Sequence, residues 1–123
     1  DWTAPRGYSN GVAASGTTVF VAGQIGWNAR CEFESDDFVD QVRQALLNVR
    51  AVLAEAGATP EHLVRLNWFV ADGAAYRAAR RELGRHWRAI MGEHYPPMSA
   101  VIVAGLLEER ALLEIEATAV VPE

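Results

Sequence analysis

Two long amphipathic segments, each lying between two strand-like segments, constrain the fold of this chain more than any other feature. In the first, residues 36–57, apolar residues recur every three or four positions, which is the spacing of one helix face. The stripe consists of Phe38, Val42, Ala45, Leu46, Val49 and Leu53. Asp36 or Asp37 can cap the start of this helix, and Gly57 stands where a left-handed residue ends one.

The second predicted helix runs from about Ala74 to Met91, with Asp72 as a plausible N-cap and Gly92 at its end. Its apolar stripe is formed by Tyr76, Ala79, Leu83, Trp87 and Ile90. The other face carries a row of arginines, namely Arg77, Arg81, Arg85 and Arg88. Such a row is most simply a solvated face, and a functional basic patch is the alternative.

Four segments rich in β-branched and aromatic residues predict strands: 17–24, 63–70, 98–104 and 112–121. A short strand near Gly11–Ala14 is expected to pair with the first of them through a turn at Ser15 and Gly16. The predicted order is ββαβαββ, in which helical crossovers favour parallel strands. We therefore expect one domain over residues 1–123, an α+β two-layer sandwich with both helices on one face of the sheet.

The opposite face of the sheet is expected to need a partner of its own. Along the last strand Leu113, Ile115, Ala117 and Ala119 alternate with Glu114, Glu116 and Thr118. The strand over 98–104 is apolar on both faces, whereas helices are available to cover one face only. Exposed apolar surface of this kind predicts oligomerisation through the open sheet face.

Charge and hydropathy argue against several classes of partner. The formal charge is −5, whereas nucleic-acid binding needs a dense basic face. The longest uninterrupted apolar stretch, 101–107, is far shorter than the ~20 residues that span a bilayer. The single cysteine, Cys31, permits no internal disulfide, and the first residues show no secretion signal. We therefore expect a cytoplasmic protein that binds neither nucleic acid nor membrane.

Standard catalytic and metal-binding motifs are absent from the sequence. There is no nucleophile elbow, Walker loop or dinucleotide fingerprint. His62, His86 and His94 lack the spacing of metal ligands. Trp27, in the sequence GQIGWN, is either a lid over a pocket or a surface aromatic.

Six segments do occur in the order and spacing of a known family: RGYSNGV, TVFVAGQIG, QVRQALLNVRAVLAEAGA, FVAD, YPPMSAVIVAGL and LLEIEATAVV. Together they resemble the Rid family, the reactive intermediate deaminases, also called the YjgF family, over nearly the whole chain. The resemblance implies a chorismate-mutase-like fold and a homotrimer whose open sheet faces line a central barrel. It also implies small-molecule sites in the clefts between subunits, with no metal and no cofactor.

The best-known members of this family hydrolyse reactive enamines and imines to a 2-keto acid and ammonia. In those members an arginine early in the third long strand binds the substrate carboxylate, and the resemblance puts Met98 at that position. A neutral thioether cannot hold a carboxylate, so Met98 is most simply an apolar wall. The chain also departs from the family at Ala22, where a serine is common, and at Ala100, where a cysteine is found.

Other positions keep the pattern of the family. Tyr8 matches a pocket tyrosine, and Glu114 matches the glutamate that positions or activates the hydrolytic water. Backbone N–H groups at Gly23, Ser99 and Ala100 are candidates to bind an oxygen of the substrate. Tyr8 also has a simpler interpretation, as an interface residue, and Glu114 as the partner of an arginine across the trimer.

Two arginines are candidates to replace the missing cation. Arg6 lies two residues before Tyr8, and Arg80 lies on the second helix, near where family members often place a ligand-touching asparagine. We therefore expect a Rid-like hydrolase of enamines or imines, acting on a substrate other than the usual 2-imino acids, with Glu114 activating water. The alternative is a trimeric small-molecule binding protein without catalysis. Ribonuclease activity, attached to some family members, is the weakest hypothesis because the chain is acidic.

Overall fold

The computed structural model describes residues 1–123 and confirms the α+β class. In chain order its elements are β1 (Thr17–Ile25), α1 (Phe38–Glu55), β2 (Leu63–Val70), α2 (Gly73–Ala78), α3 (Arg80–Met91), β3 (Met98–Ile102) and β4 (Leu113–Val121). A single 3-10 turn, Pro60–His62, leads into β2. The four longer predicted strands and both helical regions are therefore confirmed. None of the helices has both the length and the apolar character needed to span a bilayer.

The four strands form one sheet in the order β1-β4-β2-β3. The last strand, β4, runs antiparallel to both β1 and β2, so those two strands point in the same direction. Strand β3 runs parallel to β2 and forms an edge of the sheet. The two helical connections therefore join strands of equal direction, as predicted.

The helices cover one face of this sheet, and the core lies between the two layers. From α1, the predicted stripe is buried, and Val42, Leu46 and Leu53 have no exposed surface. The sheet contributes Leu113, Ile115, Ala117 and Ala119 from β4, as the alternation predicts, and Leu66, Trp68 and Val70 from β2. Each large aliphatic side chain buried there stabilises the fold by about 1.5–3 kcal/mol.

The helix ends follow the capping chemistry of the sequence. Asp37 caps α1 by accepting a hydrogen bond from the Asp40 N–H at 3.1 Å. Asp72 caps α2 by accepting from the N–H groups of Ala74 and Ala75 at 3.0 and 3.1 Å. Gly57 adopts a left-handed conformation just after α1, with φ of +72°. These contacts fix where both helices enter and leave the layer.

The second helical region is divided, where the sequence predicts one continuous helix. At Ala79 the backbone leaves the helical region (φ −102°, ψ 6°), and its N–H is shared between the carbonyls of Ala75 and Tyr76. Nothing in the sequence marks this break, because alanine is the strongest helix former.

The predicted short strand near Gly11–Ala14 is wrong for this chain. Residues 11–15 are exposed and belong to no strand, so the observed order is βαβααββ. The preceding segment instead lies beside the start of β3, where the Ser9 N–H donates to the Pro96 carbonyl at 3.3 Å. An outer strand with no face to bury gains too little to form a stable hairpin.

Candidate functional site

The carboxylate of Glu114 lies on the open face of the sheet, directly against the backbone of Gly23. A Cβ atom at Gly23 would be 2.6 Å from both Cδ and Oε1 of Glu114, closer than any ordinary contact. Only glycine therefore allows this approach. The pairing of β1 with β4 is irregular between Val21 and Gln24, which puts Gly23 inside a bulge-like distortion.

Glu114 differs from the second carboxylate of β4, Glu116, in its hydrogen bonding. Glu116 accepts a hydrogen bond of 2.9 Å from the side-chain amide of Asn67 on β2. Glu114 is half-buried, but within the chain it accepts no side-chain hydrogen bond and forms no ion pair. Its lone pairs are therefore available to a water molecule or a ligand.

Strand β3 presents Met98 and Ala100 on the face that the helices cover. Met98 pairs with Leu66 and Ala100 with Trp68, two core residues of β2. Ser99 pairs with Asn67 and so lies on the open face. Met98 is half-buried and packs against the core.

The hydrogen-bond pattern of β3 separates the candidate backbone donors. The Leu66 N–H donates to Pro97 at 3.1 Å and the Val103 N–H donates to Val70 at 2.9 Å. With the regular alternation of a parallel pair, the Ser99 N–H points into the sheet and the Ala100 N–H points away from its edge. Of the two, Ala100 is the one with a donor free for a ligand.

Tyr8 lies beside the residues that precede Met98. The Ser9 hydroxyl donates to the carbonyl of Tyr95, which ties the N-terminal segment to this loop. Tyr8, His94 and Pro97 line a cavity of about 330 Å³ there. The structure thus brings Tyr8 to the start of β3.

Glu114 and Met98, in contrast, lie on opposite faces of the same sheet. Glu114 pairs with Phe69 on the open face, whereas Met98 faces the helices. A single chain therefore does not unite the predicted water-binding carboxylate with the predicted substrate wall.

The remaining predicted residues have separate places. Trp27 is half-buried and packs on Phe33, with ring centroids 5.8 Å apart. The Trp27 carbonyl accepts a hydrogen bond from Asn48 at 2.8 Å, so the loop is anchored to α1. Arg6 is exposed and forms neither an ion pair nor a side-chain hydrogen bond.

Arg80 lines a groove between α2, the start of α3 and the edge strand β3. The groove has a volume of about 320 Å³, and Ala100 and Ile102 form its strand side. Arg77 lines it as well, and it is exposed like the other arginines of the predicted solvated row. The sequence carries no clear signal for this pair, because the helix breaks at Ala79 between the two arginines. No three His, Cys, Asp or Glu side chains converge as metal ligands.

Comparison with known proteins extends these observations. The model of the family described as endoribonuclease L-PSP matches residues 2–121. A RutC family protein of Haemophilus influenzae is 36% identical over 105 residues, which cover 85% of this chain and 80% of that protein. A protein of Dermatophagoides farinae named 2-iminobutanoate/2-iminopropanoate deaminase is 31% identical over 115 residues, covering 93% of this chain and 85% of the relative.

Among solved structures, the Rid-family protein YyfB from Yersinia pestis has a similar fold. The TM-score is 0.81 at 36% sequence identity, and the match covers 94% of this chain and 87% of that one.

Proposed function

This chain belongs to the endoribonuclease L-PSP family and is similar in fold to a Rid-family protein, and we propose that it hydrolyses reactive enamine or imine intermediates. The observation that carries the proposal is the half-buried Glu114 carboxylate against Gly23, with no partner inside the chain. The mite relative named as an imine deaminase supports the same reaction class.

The reaction adds water across a carbon–nitrogen double bond. As the water oxygen attacks the imine carbon, Glu114 takes a proton from the water and passes it to the nitrogen, which gives a neutral amino alcohol. In the second step Glu114 takes the hydroxyl proton and delivers it to the nitrogen, the carbon–nitrogen bond breaks, and the carbonyl and ammonia form. Such proton transfer contributes about 10²–10⁴-fold.

We propose that two subunits of a homotrimer build each site. Glu114 and Met98 lie on opposite faces of one sheet, so a second copy is needed to bring a β3 edge to a Glu114. Phe20, on the open face, is 79% exposed in the single chain and supplies apolar surface for that contact. The free N–H of Ala100, together with Gly23, provides donors for the developing charge on oxygen or nitrogen.

Met98 favours a substrate other than the usual 2-imino acids. Together with Tyr8 it shapes an apolar wall where a carboxylate would need a cation. The same observation supports the second candidate function, a trimeric small-molecule binding protein without catalysis. A cytoplasmic location, expected from the single cysteine, belongs to the same proposal.

A coupled assay separates the two functions. An amino-acid oxidase generates imines from a panel of amino acids, and the release of keto acid is followed with and without the purified protein. We expect acceleration for at least one imine, its loss in Glu114→Gln, and its retention in Glu116→Gln, because Glu116 is already bonded to Asn67. Binding of product analogues without acceleration of any imine would favour the binding protein.

A further inference from the structure

We propose that the groove between α2 and β3 is an anion subsite, in which Arg77 and Arg80 bind a carboxylate or phosphate group of the substrate. The groove holds about 320 Å³, room for a small acidic group, with both arginines on its helix side. That the same substrate carries a reactive carbon–nitrogen double bond rests on the proposed function, whereas binding of an anion in the groove can be tested without any reaction.

Both arginines are without a partner inside the chain. No carboxylate lies within 4.0 Å of either guanidinium. Only Arg30, Arg85 and Arg110 of the eleven arginines pair with an acid, so the groove that Arg77 and Arg80 share, and not the lack of a partner alone, makes this pair a candidate. Each guanidinium has five N–H donors, and two like charges that line one groove favour an anion between them. The pair can therefore take a bidentate acceptor.

Gly73 shows where the Arg77 side chain lies. A Cβ at Gly73 would be 2.4 Å from Cδ1 of Ile102 and 3.1 Å from Nη1 of Arg77. The guanidinium therefore folds back over the start of α2 towards β3, instead of extending along the helix surface. The absence of a side chain at Gly73 leaves room for this conformation.

The edge of β3 adds a neutral donor to the arginine pair. The N–H of Ile102, like that of Ala100, points away from the sheet, and Ile102 lines the groove. At about 3.3 Å per residue, Ile102 lies about 13 Å along the strand from Met98 and about 7 Å from Ala100, whose N–H serves the reacting centre. The cation has thus moved away from the place of the strand arginine. A substrate that fits carries its acidic group several bonds from the carbon–nitrogen double bond.

Binding of two probes to the full-length protein tests this inference. Glutarate represents a carboxylate ligand and inorganic phosphate represents a phosphate ligand, and Kd is measured by calorimetry at fixed ionic strength. Arg77→Gln and Arg80→Gln are each expected to raise the Kd of the bound probe about tenfold or more, as loss of a charge-assisted contact does. Arg81→Gln is the matched control, because it removes the same charge from the position next to Arg80 on α3 but outside the groove. We expect it to change the Kd by less than about twofold.

The two probes also decide which acid the groove selects. Tighter glutarate binding identifies a carboxylate substrate, and tighter phosphate binding identifies a phosphorylated one. The inference is overturned if neither probe binds the wild-type protein, or if Arg81→Gln weakens binding as much as the groove variants do. If the protein hydrolyses imines but fails this binding test, the proposed function stands and the anion subsite is wrong.

Discussion

Replacing Gly23 with alanine tests the position of the Glu114 carboxylate without changing its charge. The added methyl carbon would be 2.6 Å from Oε1 and Cδ of Glu114 and 2.8 Å from its Cγ. Ordinary contacts of this kind begin near 3.4 Å. The carboxylate therefore has to retreat by about 1 Å, since repulsion rises steeply below contact distance.

The fold itself should tolerate this substitution. Gly23 has no positive φ and is exposed, and the obstructing atoms belong to a flexible side chain. Alanine in a strand gains roughly 0.5–1 kcal/mol over glycine through chain entropy. We expect the free energy of unfolding to change by less than about 1 kcal/mol. A displacement of a reacting group by 1 Å can cost about 10²-fold, so kcat should fall by that factor.

The assay is the release of keto acid from an imine that the wild-type protein hydrolyses. Gly105→Ala is the control, because a Cβ at Gly105 meets nothing within 4 Å. The control should keep the wild-type kcat. A Gly23→Ala variant with the wild-type kcat would show that the position of the Glu114 carboxylate does not matter for the reaction.

Three further predictions concern the strand, the assembly and the core. Met98→Arg should accelerate keto-acid release from 2-iminopropanoate at least about tenfold over wild type, because a buried guanidinium–carboxylate contact contributes ~1.5–3 kcal/mol; no gain would contradict the assigned place of Met98. Phe20→Asp should lower the sedimentation coefficient from that of a trimer to that of a monomer, because assembly through the open face would bury the new carboxylate without a partner. An unchanged trimer would show that the subunits do not contact each other through Phe20. Gln41→Leu should lower the free energy of unfolding in urea by about 3 kcal/mol, since it removes hydrogen bonds to Ser35, Arg110 and Leu112 from a side chain 1% exposed. A loss below about 1 kcal/mol would show that water replaces those bonds.

Much of the fold follows from local patterns. The bounds of β2 match residues 63–70, because alternation in a strand with one buried face is a strong signal. The start of each helical region follows from Asp37 and Asp72, because aspartate is a preferred N-cap residue whose carboxylate accepts hydrogen bonds from the first turn. The short strand near Gly11–Ala14 fails because hairpin formation depends on surface to bury, which its own sequence does not specify.

The candidate site is harder to predict from the sequence, because it depends on the register in which the strands pair. That Glu114 faces away from the core follows from the alternation of β4 alone. That Met98 lies on the opposite face requires its pairing with Leu66, which no local pattern fixes. Arg77 is exposed, as the predicted solvated row requires, but helical spacing could not show that it also lines a groove formed with a distant strand.

A mixed-subunit experiment tests most directly whether the catalytic carboxylate and the β3 edge come from different chains. Glu114→Gln lacks the carboxylate, and Ala100→Phe fills the edge beside the free N–H; each protein alone should be inactive. When equal amounts are unfolded and refolded together, random assembly into a trimer gives an intact cleft at about a quarter of the positions. We therefore expect recovery of about a quarter of the wild-type rate. A refolded mixture as inactive as its components would contradict it.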